Sequence, residues 1–435
     1  MGANGLITKL GSGLQNNSVA NVLLKAFTML LSFLFIRISL SYLGNALYGI
    51  WMLIYSIATW TDQMDFGIGH GLRNELSSAI ARKDSETQRS LCVFSLKRIL
   101  ILAFWIFVVV IVLYEALIKL SLFPESHRMG AYIFSSFYCA RMALTIGNSI
   151  CYANQVSTMV FLARFSSVFF QVFNVILLRA VVHETDINIF AIAVGIGLLF
   201  PNAALTIYAW KRFVPSVQTV SNENKNKKVL KTGFGFFTIQ ICGIILFSTD
   251  NLIVNRLFGE EAVTSYSVIN QVYSGADTVF LAILIPLWSA VTLHAVKNEY
   301  EWIDNRINEL KRAIALYAFM IILLSFAWNQ IARIALQYDH RYGKYTIIIF
   351  AIYCIYGAYL SMYIHVMNGL GLIKVQIIVA ALEALINIPL SVYLAWYLDY
   401  GIYGVKLATL LCQMVGGTIL IIACKRYLTE KMNTM

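Results

Sequence analysis

Charged side chains are scarce in this chain: Asp, Glu, Lys and Arg make up 13% of its 435 residues, where a soluble domain carries about a quarter. Long hydrophilic stretches are scarce as well, which excludes an ordinary soluble domain. The seven cysteines, Cys92, Cys139, Cys151, Cys242, Cys354, Cys412 and Cys424, lie in or beside apolar runs and form no CxxC, so neither a disulfide framework nor a metal site is indicated. The six histidines form no HExxH or similar pair, and the adjacent His183 and Glu184 read as a solvated turn. The chain has no nucleotide loop and no nucleophile elbow, so neither enzyme chemistry nor a cofactor is expected. The glycines of "DFGIGHG" lack the spacing of a dinucleotide fingerprint and follow no strand; their reading is the end or hinge of a helix.

Hydrophobic residues, by contrast, make up 59% of the chain, and the mean hydropathy is +0.71. A bilayer-spanning helix needs roughly 20 apolar residues. Runs of that length recur at 17–40, 47–66, 99–118, 131–153, 157–180, 187–210, 233–255, 264–290, 313–333, 345–367, 375–397 and 402–424. The expected class is therefore an all-α integral membrane protein of about twelve transmembrane helices. The first sixteen residues are polar and the run after them is too long for a signal-peptide core, so a retained first helix is expected.

Lys and Arg accumulate on the cytoplasmic side of membrane proteins. With the N-terminus inside, about 22 basic residues fall in inside segments and about 7 in the opposite ones. Both termini are then cytoplasmic. The formal charge of +11 reads as a topology signal and implies no nucleic-acid partner.

The hydrophilic stretch "KRFVPSVQTVSNENKNKKVLK" divides the spans six and six. The expected organisation is an N-terminal lobe over 1–210, a basic cytoplasmic linker over 211–232, a C-terminal lobe over 233–424 and a cytoplasmic tail over 425–435. Moving the second half back by 215 positions places Gly259 on Gly44, Tyr266 on Trp51, Asn270 on Tyr55 and Asp277 on Asp62. A slightly smaller shift brings Asn368 near Asn154 and Asn387 onto Asn174. Each half has an even number of spans, so the two six-helix lobes are expected to share orientation, related by a pseudo-two-fold axis along the membrane normal.

In the run "YLGNALYGIWMLIYSIATWTDQMDFGIGHGLRNEL", Trp51, Tyr55, Asp62 and Asp65 keep to one helix face. A stripe of that kind facing lipid would cost several kcal/mol. Arg141, Thr145, Asn148 and Tyr152 share another face, as do Arg164, Ser167, Gln171 and Asn174, and likewise Gln376, Glu383 and Asn387. Interhelical hydrogen bonding and snorkelling to headgroups are the structural alternatives for such residues. An anionic ligand would call for the cations Lys25, Arg37, Arg141 and Arg164, and a sugar for Trp51, Tyr55, Asn148, Tyr152, Gln171 and Asn174. Asp62, Asp65, Asp250, Asp277 and Glu383 are the gating or coupling candidates. Of these, Glu383 lies near mid-membrane, where a partly desolvated carboxyl group can take a proton from one side and release it to the other.

"YLGNALYGIW", then "DFGIGHGLRNEL" and the charged "ARKDSETQRS", resemble the N-terminal signature of the Wzx-type O-antigen and polysaccharide flippases of the multidrug/oligosaccharidyl-lipid/polysaccharide (MOP) exporter superfamily. The motifs cover residues 37–98, and the twelve-helix plan covers the whole chain. His70 stands where many relatives are expected to have asparagine. The resemblance implies a multi-pass protein of the bacterial inner membrane that moves an undecaprenyl-pyrophosphate-linked oligosaccharide to the periplasmic leaflet by alternating access, with cation coupling. The implied partners are that substrate, membrane lipids, and a polysaccharide polymerase and chain-length regulator. The alternatives are a cation-coupled multidrug or metabolite exporter of the same superfamily and, behind it, a membrane-embedded glycan polymerase or ligase. Such an enzyme would need a large outside loop, and those loops are all under about fifteen residues here.

Overall fold

A chain with long apolar runs has to satisfy its backbone polar groups internally when it enters lipid, and the helix does so within one segment. The computed structural model describes residues 3–61, 64–182, 185–217, 223–330 and 343–434. Every regular element among them is helical. In chain order these are α1 (Ala3–Trp60), α2 (Ile68–Ala81), α3 (Ser85–Lys119), α4 (Arg128–Ala153), α5 (Ser157–Val181), α6 (Ile187–Phe213), α7 (Glu223–Phe258), α8 (Glu260–Val296), α9 (Tyr300–Phe326), α10 (Lys344–Leu370), α11 (Ile373–Val392) and α12 (Ile402–Asn433). Among the described residues nine stretches are long and apolar enough to cross a membrane, and Leu47–Trp60 is a shorter apolar helix. With α4 and α9 these make the twelve expected spans of an all-α membrane protein.

The first two spans lie within α1, which breaks at Gly44 with φ 71 and ψ 170. That backbone region is open essentially to glycine alone. Gly259, between α7 and α8, has φ 81 and ψ −178. The two glycines that a shift of 215 superimposes in the sequence thus share one rare conformation.

Other landmarks keep the same spacing: α2 ends at Ala81 and α8 at Val296, α3 starts at Ser85 and α9 at Tyr300, and α6 starts at Ile187 and α12 at Ile402. Lys83 and Asn298, also 215 apart, both turn the chain with positive φ. The halves differ at one place. In the first, the helix stops at Trp60 and resumes at Ile68, whereas α8 runs through the equivalent positions for 37 residues without a gap.

Two compact units emerge, Met1–Phe237 and Thr238–Met435. Within the stretch expected as the linker, 211–232, α6 continues to Phe213 and α7 begins at Glu223. The first unit is centred on Trp51, Ile54, Phe134, Ile146 and Phe190, and the second on Tyr266, Tyr273, Phe350, Met362 and Tyr363. Large apolar side chains such as Phe33, Trp105, Phe326 and Ile422 are exposed, as a surface solvated by lipid tails requires. Six of the seven free cysteines are buried and Cys242 is half-buried.

Candidate functional site

The polar end of the opening stretch builds a break in the helix. Asp65 accepts hydrogen bonds from the backbone N–H groups of Gly67 at 2.8 Å and Gly69 at 3.2 Å, satisfying donors that the first turn of α2 leaves open. Gly67 takes φ 69, and α7 lies against it: a Cβ on Gly67 would stand 2.0 Å from the Gly233 carbonyl oxygen, and one on Gly71 would stand 2.3 Å from that of Val229. Lys228 of α7 pairs with Glu75 of α2 at 3.0 Å. His70 packs on Phe236, where burial lowers its pKa from the ordinary imidazole value against the opposing effect of Asp65. Arg73 is buried and lies over the Tyr152 ring at 4.7 Å. Asp65 and its glycines therefore start α2 and seat it on α7. Asp62 lies outside the described residues, as do His183 and Glu184.

The remaining residues expected to bind substrate divide into two groups. Trp51 is a core residue, 1% exposed, wedged between Phe134 at 4.5 Å and Phe190 at 4.8 Å. Gln171 is buried where α5 meets Gly197 of α6, and Asn174 donates to the Ala193 carbonyl at 2.9 Å. These three hold the bundle together. Lys25 is half-buried and Arg164 exposed, with the guanidinium charge acting on the ammonium. The α1–α5 contact that brings them close is pinned by Asn21 Nδ2 donating to Ser157 Oγ at 2.9 Å. Arg141 is half-buried over the Tyr138 ring at 4.4 Å. Asn148 is half-buried two turns along α4, and Arg37 and Tyr55 are exposed.

The C-terminal unit holds a second polar set, which sequence reasoning saw only in part. Asp250 of α7 is 2% exposed and pairs with Lys406 Nζ of α12 at 3.5 Å. It also accepts from Tyr266 Oη of α8 and from Thr409 Oγ1 of α12. Asn387 Nδ2 of α11 donates to Thr409 Oγ1 at 3.0 Å. Lys406 lies over the rings of Tyr353 at 4.2 Å, Phe350 at 5.2 Å and Tyr266 at 5.6 Å. Asp277 accepts from Tyr317 of α9, and its charge also reaches Lys406.

Glu383 of α11 stands apart from this set. Its Oε1 is buried without a hydrogen-bond partner, 2.1 Å from where a Cβ on Gly416 of α12 would lie. Sequence reasoning missed Lys406, although a lysine inside the last apolar run one turn before Thr409 was a signal, and Asp250 needed a counter-charge. Among the described residues no group of three or more His, Cys, Asp or Glu could hold a metal ion.

The chain is similar to solved structures of transporters. It matches a Vibrio cholerae MATE transporter in the bent form with a TM-score of 0.77 and 17% identity, covering 97% of this chain and 98% of that one. It matches the outward-facing form of a multidrug resistance MATE family transporter of the MOP superfamily with a TM-score of 0.75 and 13% identity, over 97% of each. The chain shares the fold of these transporters.

Sequence comparison finds O-antigen transporters. The chain is 20% identical to a "Putative O-antigen transporter" of Salmonella typhimurium, over 80% of this chain and 82% of the relative. It is 20% identical to a "Putative O-antigen export protein" of Yersinia pseudotuberculosis, over 91% of each. No protein-family model matches the chain. The resemblance carried by "YLGNALYGIW" and "DFGIGHGLRNEL" is thus met by sequence relatives and fold neighbours alike.

Proposed function

We propose that the protein is a flippase that moves a lipid-linked oligosaccharide, joined through pyrophosphate to an undecaprenyl carrier, from the cytoplasmic to the periplasmic leaflet of a bacterial inner membrane by alternating access. The observation that carries this reading is the similarity to O-antigen transporters along nearly the whole chain, on a fold used for export. Lys25, Arg141 and Arg164 supply three cations within a single half, a set suited to a pyrophosphate. Asn148, Tyr55 and Tyr152 supply amide and aromatic contacts for sugars. Glu383 is the coupling carboxyl group in this reading, because its Oε1 has no partner to hold it in one protonation state.

The fold neighbours favour one second reading, export of a drug or metabolite. Purified protein in vesicles loaded with lipid-linked glycans of defined sugar and charge separates the two. Flippase activity predicts that the glycan reaches the outer leaflet, with Arg141→Glu and Arg164→Glu inactive. Export of a cationic dye with no glycan movement would overturn the proposal.

A further inference from the structure

The buried set around Asp250 has the composition of a site for a small monovalent cation. Such ions take oxygen donors around one formal negative charge. Here the donors come from four helices: the Asp250 carboxylate, Thr409 Oγ1 at 3.4 Å from it, Tyr266 Oη, and the Asn387 side chain. Asn387 is 0% exposed, and while its Nδ2 donates to Thr409, its Oδ1 has no hydrogen-bond partner. A buried amide oxygen left over one residue removed from the carboxylate, on the amide that bonds the Thr409 hydroxyl, is what a cation site offers and what a plain interhelical hydrogen-bond network would have used up.

The charge that answers this oxygen set is the protein's own. Lys406 Nζ is 3.5 Å from Asp250 Oδ2, beyond the roughly 2.7–2.9 Å of a tight charge-assisted hydrogen bond. Its charge is therefore held by the field of the carboxylate and by three aromatic faces. Asp277 adds a second, more distant negative charge. The ammonium is covalently tied to α12, so unlike a dissolved ion it cannot be released to either side of the membrane.

We propose that Lys406 is a tethered cation that fills a monovalent-cation site built from Asp250, Thr409, Tyr266 and Asn387, and so makes this site independent of dissolved Na⁺ or K⁺. Shortening this side chain is expected to open the site to Na⁺ or K⁺. The inference concerns one half of the molecule and does not rest on the identity of the transported substrate.

The test is thermal melting of the full-length protein in detergent, in NaCl, KCl or choline chloride at equal ionic strength. The wild type is expected to melt at one temperature in all three salts. Lys406→Ala is expected to melt lower in choline and to recover by several degrees, saturably, in NaCl or KCl. Adding Asp250→Asn to Lys406→Ala should abolish that recovery. Saturable stabilisation of the wild type by Na⁺ or K⁺ that Asp250→Asn removes would overturn the proposal, because the site would then exchange with solution. A Lys406→Ala protein that melts alike in the three salts would overturn it too. If Lys406→Ala does not accumulate, Lys406→Gln takes its place with the same two outcomes, and the wild-type and Asp250→Asn proteins provide a test that needs neither variant.

Discussion

Asp65, Asp250 and Glu383 are carboxylates set in a greasy bundle, and each is accommodated differently. Asp65 spends its oxygens on two backbone N–H groups, so Asp65→Ala should cost about 1 kcal/mol, the usual worth of a helix cap, seen as a lower melting temperature. Asp250 is answered by an ammonium. Removing one partner of a buried pair leaves the other charge stranded, and Lys406→Met should destabilise the protein by about 3–5 kcal/mol in the absence of a replacement cation. Glu383 has neither solution for Oε1, only the space that Gly416 leaves. Glu383→Gln should therefore keep normal abundance and lose the stimulation of transport by an imposed pH gradient; full stimulation in that variant would place the coupling elsewhere. Gly416→Ala should imitate it, because its new methyl group must push the carboxyl group aside. The single residues were the least legible part of the sequence. Periodicity shows which face a residue shares, but Lys406 finds Asp250 only when helices more than 150 residues apart in the chain come together.

At the level of helices the sequence was far easier to read, since a bilayer leaves few options for a run of twenty apolar residues. Gly44 and Gly259 were legible as a matched pair and turn out to share a conformation. The gap before α2 was legible only as a hinge in "DFGIGHG". Its close seat on α7 depends on the absence of side chains at Gly67, Gly71 and Gly233, which no local pattern announces. The two kinds of glycine should respond differently to alanine. Gly44 has nothing within 4 Å of a new Cβ, so Gly44→Ala should show only backbone strain of about 1–3 kcal/mol. Gly67→Ala adds a clash with the backbone of α7 and should lower the melting temperature clearly further. Equal losses in the two variants would mean that the α2–α7 contact contributes little to stability.

For the whole molecule, the alternation of basic segments predicts a single topology. Reporter fusions at residues 45, 185, 260 and 400 should read periplasmic, and those at 85, 220 and 300 cytoplasmic; two exchanged readings would refute the arrangement. The halves share their landmarks at a spacing of 215 but differ in the continuity of one helix. An uninterrupted α8 of 37 residues is about 55 Å long at 1.5 Å per residue, nearly twice the roughly 30 Å of hydrocarbon it has to cross. Its counterpart is jointed between Trp60 and Ile68. The backbone of α8 is thus continuous from its Gly259 end to Val296, with Pro286 the proline inside it that removes one ladder hydrogen bond. If the continuous α8 is needed to couple its two ends, a chimera carrying a break in both halves is expected to transport more slowly than the native protein, and equal rates would show that the continuity of α8 is dispensable.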